Sequence, residues 1–257
     1  MLILGIETSA SQVSCAVGTA AGPLASFAAD RGPRHAEALV PAVATVLEAA
    51  GVTVGDLQAV AVSQGPGLFT GLRAGIATAQ ALALARGIPL RGVPTLEVVA
   101  LHARLADRPI VVVTDARRGE VFYARFRPCP PGPPLRVSDD LVAPPAALVE
   151  ELAEAGGPVV LVGSGVSRYA EHFGRLVEAS PAGEVLLLDG AVAAPGAEAV
   201  IELARPRLVG AQPASPGLPL RPIYVRAPDA EARWVERSGV VEGRVVEGGV
   251  VEGGEAA

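Results

Sequence analysis

The sequence predicts an α/β protein whose sheets contain both antiparallel and parallel strands. Short apolar runs that are typical of buried strands alternate with longer segments of helical periodicity. The first three extended segments are separated only by short turns, and the strand–helix order starts again after residue 108, as if the fold were duplicated. Because 50% of the 257 residues are apolar, the chain can bury a core of one large domain or two modest ones.

The first part of the chain is predicted to form an opening set of strands, followed by helices and single strands. Pro41 lies inside the first helical pattern, where it should kink the helix or mark its start. Gly51 is typical of a residue that ends a helix. Strands are expected at residues 2–6, 13–17, 24–29, 57–62 and 88–93, and helices at 34–50, 68–86 and 95–106.

The second part repeats the alternation with a proline-rich loop at residues 128–134. Strands are expected at 109–114, 121–126, 159–162 and 185–189, helices at 145–155, 167–179 and 195–208, and a last extended piece at 220–225. We therefore expect a first lobe at 1–107 and a second, reduced lobe at 108–228, with the alternative that helix 195–208 returns to the first lobe. Residues 229–257 repeat short Val-Val-Glu-Gly units and are expected to form a disordered acidic tail.

The helix at 68–86 has one face of unusually small residues. Gly71, Gly75, Ala79 and Ala83 recur every four residues, and glycine in a helix costs about 1 kcal/mol relative to alanine. This pattern predicts close contact with another helix, whereas the alternative is that the face packs on the protein's own sheet. The predicted partner interface consists of this face and the apolar side of the preceding helix: His35, Leu39, Val43, Val46, Gly71, Leu72, Gly75, Ala79 and Ala83.

Composition excludes several classes of function. The net charge of -6 argues against strong nucleic-acid binding by the chain alone, because phosphate neutralisation needs a basic surface. All 21 basic residues are arginine, which excludes lysine-dependent phosphate loops and Schiff bases. Cys15 and Cys129 form no disulfide framework or metal-binding pair. The chain opens without a secretory signal and Arg73 interrupts its longest apolar helix, so we expect a cytoplasmic protein with no membrane contact.

The strand–turn–strand at the start of the chain and the Gly-Pro-Gly turn are the candidate phosphate contacts, although both patterns also occur in ordinary turns. The residues are Glu7, Thr8, Ser9, Gly65 and Gly67. No metal-ligand pair and no nucleophile–base pair is evident, since the three histidines are widely separated. The sequence therefore predicts no catalytic residues and no metal site.

Five motifs together resemble the TsaB (YeaZ-type) family of the bacterial tRNA threonylcarbamoyladenosine machinery. They are residues 5–9 (GIETS), 35–41 (HAEALVP), 63–73 (SQGPGLFTGLR), 115–121 (DARRGEV) and 221–226 (RPIYVR). The resemblance covers residues 1 to about 230 and is most specific in the third motif. It implies an actin-like ATPase (ASKHA) fold with two related lobes, of which the second is reduced.

The resemblance also implies a non-catalytic subunit. The sister transferase TsaD carries an H-x-x-x-H metal motif at the positions that are Thr95 and Val99 here, and His102 lies three residues too late. The expected role is to support TsaD in transferring a threonylcarbamoyl group to N6 of the tRNA adenosine beside the anticodon. The expected partners are a TsaD-like transferase and a TsaE-like ATPase, with a homodimer when the chain is alone and tRNA contacted only through the complex. ATP or ADP could bind at or near the partner interface.

Two other functions stay open at this point. The chain could be an independent enzyme, either an actin-fold kinase or a glycoprotease-like hydrolase. Glu7 could bind a metal in a kinase, but no base follows it. The chain could also be a nucleotide sensor that binds without turnover, through Thr8, Ser9 and the Gly65–Gly67 turn.

Overall fold

The computed structural model describes residues 1–30, 35–188, 194–215 and 217–226, except for the side chain of His35. The expected acidic tail at 229–257 lies outside these residues. Residues 1–225 form one compact unit. The division into lobes at residue 107 therefore stays a prediction.

The structure contains eleven strands and seven α-helices within the described residues, together with two short 3-10 helices at Val54–Asp56 and Leu101–Ala103. The strands are β1 (Ile3–Glu7), β2 (Gln12–Thr19), β3 (Gly22–Asp30), β4 (Ala59–Gly65), β5 (Leu90–Pro94), β6 (Ile110–Arg117), β7 (Glu120–Arg127), β8 (Leu135–Arg136), β9 (Leu141–Ala143), β10 (Val159–Val162) and β11 (Val185–Leu188). The helices are α1 (His35–Ala49), α2 (Phe69–Arg86), α3 (Thr95–Ala100), α4 (Pro145–Ala155), α5 (Ser164–Arg168), α6 (Ala170–Ala179) and α7 (Ala197–Leu208).

The first sheet has the strand order β3-β2-β1-β4-β5. Strands β1, β2 and β3 pair antiparallel, whereas β4 pairs parallel to both β1 and β5. The second sheet has the order β11-β10-β6-β7-β8, with β9 also paired to β7. It again places an antiparallel pair, β6 and β7, beside the parallel strands β10 and β11. The two sheets thus share one arrangement, which is the duplication that the sequence predicts.

Both faces of the first sheet are covered, which explains why its central strands are almost uniformly apolar. Helices α1 and α2 pack on one face through a core that includes Leu39, Val46 and Ile76. Helix α7 packs on the opposite face, where it contacts β1, β2, β4 and β5. Gly5 permits this contact, because a Cβ atom there would lie 2.5 Å from the carbonyl oxygen of Ala197. The chain therefore returns to its first sheet after completing the second.

The small residues of α2 face the protein's own sheet. Thr8 donates a hydrogen bond from Oγ1 to the carbonyl oxygen of Gly71 at 2.8 Å, and a Cβ atom at Gly75 would collide with the same Oγ1. The predicted interface residues with described side chains are buried inside this chain: Leu39, Val43, Val46, Gly71, Leu72, Gly75, Ala79 and Ala83. The interface prediction is therefore wrong for these residues, since the alternative packing on the sheet is the one observed. The side chain of His35 lies outside the described residues.

Several element boundaries also differ from those expected. The helix expected at 95–106 ends at Ala100 and continues as a 3-10 turn, and the helix expected at 167–179 is divided into α5 and α6 at Tyr169. The sequence analysis missed β8 and β9, which are only two and three residues long. Pro41 lies inside α1 and does not begin it. Residues 220–225 form no strand, although Ile223 donates its backbone N–H to the carbonyl of Gln64 at 2.7 Å.

Candidate functional site

A cavity of about 230 Å³ lies where loops from both sheets meet, and we call it the central cavity. The first sheet contributes the β1–β2 turn and the turn between β4 and α2, and the second sheet contributes the end of β6 and helix α5. Its described lining residues are Ser9, Ala10, Ser11, Pro66, Gly67, Leu68, Thr95, Thr114, Asp115, Arg117, Ser164, Arg168 and Pro195.

The buried carboxyl group of Glu7 holds the β1–β2 turn in place. The backbone N–H and the hydroxyl group of Ser9 both donate to Glu7 Oε1 at 2.5 Å. Glu7 Oε2 is buried and has no hydrogen-bond partner. Burial raises the pKa of Glu7, which favours the protonated form of the carboxyl group. Glu7 thus holds Ser9, which lines the cavity, but does not line the cavity itself.

Only two of the five predicted phosphate contacts border the central cavity, namely Ser9 and Gly67. Glu7 and Thr8 are buried, and the Thr8 hydroxyl donates its hydrogen bond to the carbonyl oxygen of Gly71. Gly65 lies under the C-terminal part of the chain, where a Cβ atom would be 2.6 Å from the carbonyl oxygen of Ile223. The prediction is therefore wrong for Glu7, Thr8 and Gly65, because the sheet and its covering segments bury them.

Position 67 at the cavity wall requires glycine, because the β1–β2 turn lies too close to leave room for a side chain. A Cβ atom on Gly67 would collide with the carbonyl oxygen of Ser9, and the next residue, Leu68, donates its N–H to that oxygen at 2.7 Å. The Gly-Pro-Gly turn is thereby joined to the β1–β2 turn. These contacts form the first-sheet wall of the central cavity.

The sequence analysis missed the second-sheet wall, which carries the charged groups. Asp115 accepts hydrogen bonds from the backbone N–H of Arg117 at 2.9 Å and from the Tyr169 hydroxyl at 3.2 Å, and Arg117 Nη1 lies 3.5 Å from its Oδ2. The backbone N–H of Asp115 donates to Ser164 Oγ at 3.2 Å. Arg168 completes this wall. The Asp-Ala-Arg-Arg-Gly run was a signal for this site, but its sequence alone indicated only a turn.

Thr95 lies at the cavity wall, and its hydroxyl group is buried. Its Oγ1 atom is buried and has no hydrogen-bond partner. Val99, one helical turn later, lies in the apolar core. His102 lies outside the cavity lining, with its Nε2 atom 3.1 Å from the carbonyl oxygen of Ala194, and burial lowers its pKa. Within the described part of the chain, no group of three or more His, Cys, Asp and Glu side chains could hold a metal ion.

A second surface is formed by the sides of α1 and α2 that point away from the sheet. We call it the outer helix face, and it consists of Val40, Pro41, Ala44, Ala77 and Ala81, all exposed. Val40 is 64% exposed, which is high for a branched apolar side chain. The small side chains of Ala44, Ala77 and Ala81 would let a partner helix approach closely. None of the helices in the described ranges has the length and apolar character needed to cross a membrane.

The segment after α7 ends beside the start of α2. Gln64 donates from Nε2 to the carbonyl of Arg221 at 2.7 Å. Tyr224 stacks on Phe69 with ring centroids 5.4 Å apart, and Arg73 Nε donates to the Tyr224 hydroxyl at 3.1 Å. These contacts join the motif at 221–226, which ends the compact unit, to the motif at 63–73.

Comparison with known proteins finds similar sequences that align with most of the chain. The chain is 31% identical over 207 residues to the tRNA threonylcarbamoyladenosine biosynthesis protein TsaB of Escherichia coli, covering 79% of this chain and 86% of that protein. It is 30% identical over 239 residues to TsaB of Bacillus subtilis, covering 92% and 99%. An uncharacterised protein of Mycobacterium tuberculosis is 44% identical over 128 residues, which is 48% of this chain and only 56% of that relative.

Family and structural comparisons point the same way. A family model described as TsaD, tRNA N6-adenosine threonylcarbamoyltransferase, matches residues 29–132. The solved structure of YeaZ from Pseudomonas aeruginosa matches with a TM-score of 0.70 and 26% identity, covering 87% of this chain and 99% of that one. The fold is therefore the predicted actin-like ATPase (ASKHA) fold, with two sheets that share one strand arrangement. The chain belongs to the TsaB (YeaZ-type) family.

Proposed function

We propose that this chain takes part in tRNA threonylcarbamoyladenosine biosynthesis as a non-catalytic subunit that activates a TsaD-type transferase. In this role it supports threonylcarbamoyl transfer to N6 of the adenosine adjacent to the anticodon. The observation that carries the proposal is the alignment with Bacillus subtilis TsaB over 99% of that protein's length. The YeaZ-like fold supports it.

The non-catalytic role is supported by the residues of α3. Thr95 and Val99 occupy the two positions that are histidines in the transferase motif, and Val99 is buried among apolar side chains. A metal site needs several ligands around one centre, and neither residue supplies a nitrogen or carboxylate ligand. This chain would therefore act by binding and orienting its partner.

The partner surface is proposed to be the outer helix face. Its exposed alanines permit close helix–helix contact, and Val40 supplies apolar area that is otherwise in contact with water. A second copy would bind the same face in a two-fold arrangement, and a TsaD-like subunit would replace that copy. A TsaE-like ATPase would join the same complex, and tRNA would be contacted only through the complex, which agrees with the net charge of -6.

The experiment is copurification with a TsaD-type protein, followed by a tRNA modification assay with and without this chain. The variant Ala77→Arg places bulk and charge on the outer helix face, whereas Ala147→Arg makes the same change on the exposed side of α4. We expect wild type and Ala147→Arg to bind the transferase and stimulate modification, and Ala77→Arg to fold but do neither. Full binding by Ala77→Arg would refute the proposed surface, and modification by the isolated chain would refute the non-catalytic role.

Nothing in the described residues favours the rival enzymatic functions over this one. An actin-fold kinase would use Glu7 to bind a metal, but Glu7 Oε1 accepts a hydrogen bond from the backbone N–H of Ser9 and the side chain is buried. Binding of ATP or ADP near the partner interface and a cytoplasmic location stay predictions.

A further inference from the structure

Two segments of the chain that contain no acidic residue meet at the β5 edge of the first sheet. They are residues 57–96 and 203–225. Ala214 joins them, because its backbone N–H donates to the carbonyl oxygen of Ile88 at 3.0 Å. In a chain whose net charge is -6, this region therefore carries a local excess of positive charge. Its basic residues are Arg73, Arg86, Arg91, Arg205, Arg207 and Arg221.

Arg91 and Arg221 are the arginines of this region that are open to a partner. Both are exposed, and within the described part of the chain their guanidinium groups have no hydrogen bond or ion pair. The other four each have a partner, which is Tyr224 for Arg73, Gly55 for Arg86, Ala20 for Arg205 and Glu97 for Arg207.

The open arginines lie on one surface with an aromatic pair. Gln64 connects them, because its Nε2 atom donates to the carbonyl oxygen of Arg221 at 2.7 Å. Its side chain also lies against Gly92, the residue after Arg91. The stacked rings of Tyr224 and Phe69 follow at the start of α2, with the Arg73 guanidinium 3.9 Å from the Phe69 ring centroid. We call this the arginine surface, and it consists of Phe69, Arg73, Arg91, Arg221 and Tyr224.

The composition of the arginine surface favours RNA over an acidic protein. An arginine guanidinium binds phosphate oxygens with charge-assisted hydrogen bonds that are often bidentate. Phe69 and Tyr224 are 37% and 39% exposed, so the aromatic pair is accessible beside the arginines. Unpaired RNA bases stack on such rings, whereas a row of carboxylates would make no use of them.

The arginine surface also borders the proposed partner surface. Arg73 lies four residues before Ala77 on α2, so the two side chains emerge from the same side of the helix. The surface offers at most three arginine–phosphate contacts, whereas strongly salt-dependent binding involves about 6–10. We therefore expect it to add to the RNA affinity of a complex and not to bind RNA tightly alone.

We propose that the arginine surface binds tRNA when this chain is in complex with the transferase. Arg91 and Arg221 contact phosphate groups, and an unpaired base stacks on the aromatic pair. The proposal rests on the proposed function, which makes tRNA the nucleic acid of the complex. RNA held by the transferase would continue past the edge of the outer helix face onto this chain.

The first test measures tRNA binding by the purified complex of the full chain and the transferase over a range of salt concentrations. The double variant Arg91→Gln/Arg221→Gln should weaken binding by about tenfold at low salt and reduce the slope of log K against log salt by about 2. The matched control is Arg127→Gln/Arg175→Gln, which makes the same change in charge at two exposed arginines of β7 and α6. We expect the control to bind tRNA like wild type.

The second test separates base stacking from charge. Tyr224→Leu should weaken tRNA binding by about tenfold without a change in the salt slope, because it removes a ring and no charge. Tyr224→Phe keeps the ring and loses only the hydroxyl group that Arg73 contacts, so it should bind tRNA like wild type. Circular dichroism and copurification with the transferase show that each variant is folded and assembled.

Three results would overturn the proposal. In the first, the complex forms and modifies tRNA, but the double variant binds tRNA with the affinity and salt slope of wild type. In the second, the folded double variant no longer copurifies with the transferase, which would make this surface a protein interface. In the third, poly-glutamate displaces tRNA and Tyr224→Leu has no effect, which would identify an acidic protein as the partner. Failure of wild type to bind the transferase is a different result, because it refutes the proposed function itself.

Discussion

The contact between α2 and β1 can be tested by adding one methyl group at Gly75. In Gly75→Ala the new Cβ atom would collide with Thr8 Oγ1, whereas its next neighbours are Thr8 Cβ at 3.4 Å and Ile6 Cγ2 at 3.6 Å. The Thr8 hydroxyl must therefore move. Because this hydroxyl donates to the carbonyl of Gly71 at 2.8 Å, its movement breaks a buried hydrogen bond.

The expected magnitude follows from three contributions. Alanine is favoured over glycine inside a helix by about 1 kcal/mol. Leaving the buried Thr8 hydroxyl without a partner costs about 1–3 kcal/mol. Overpacking the contact costs about 1–3 kcal/mol more. We therefore expect Gly75→Ala to lower the free energy of unfolding by about 1–5 kcal/mol, and Gly75→Arg to prevent folding.

The decisive measurement is a double-mutant cycle with Thr8→Ala, followed by urea denaturation of the full chain. Without Thr8 Oγ1, the remaining neighbours are at ordinary contact distances. In that background Gly75→Ala should raise the free energy of unfolding by about 1 kcal/mol, which is a reversal of sign. A stabilising effect of Gly75→Ala in the wild-type background would refute the proposed packing. Destabilisation of equal size in both backgrounds would show that Thr8 is not the cause.

Three further predictions concern side chains that are buried or half-buried. Burial raises the pKa of Glu7 above its ordinary 4.5. At pH values just above 4.5, Glu7 therefore keeps its proton in the folded chain and loses it in the unfolded chain. Thermal midpoints should therefore fall as pH rises above about 4.5, and Glu7→Gln should remove this contribution. Burial raises the pKa of Cys15 to about 12, so a maleimide should label only the other cysteine until the chain unfolds. Arg136→Met should lower the free energy of unfolding by about 1–3 kcal/mol in urea, because Glu97 and Asp140 lose an ion-pair partner.

Local sequence patterns were sufficient for most elements of the fold. Strand β10 and helix α4 begin and end at the predicted residues. Both are specified by nearby residues: four consecutive apolar residues form a strand that is buried on both faces, and Pro145 begins a helix that Gly156 follows. The division of the helix expected at 167–179 was not predictable, because the break at Tyr169 places its hydroxyl on Asp115, a distant residue in sequence.

The predicted interface failed for a different reason. Periodicity shows that Gly71 and Gly75 share one face of α2, but it does not show which neighbour approaches that face. The neighbour is Thr8, the residue directly after β1, and only the sheet order places it there. The central cavity was hidden for the same reason, since Arg117 and Arg168 come together through the pairing of β6 with β10 and not through a local motif.

The return of the chain to its first sheet has a consequence for synthesis on the ribosome. When β1, β2, β4 and β5 have been translated, α7 has not, so the face that α7 covers in the finished protein is still open to water. The apolar side chains on that face, among them Ile3 and Val93, are buried only after residue 208 has emerged. A nascent chain of the first half therefore carries an open apolar surface throughout the translation of the second half. The first half of the gene encodes the whole first sheet but not the helix that covers it.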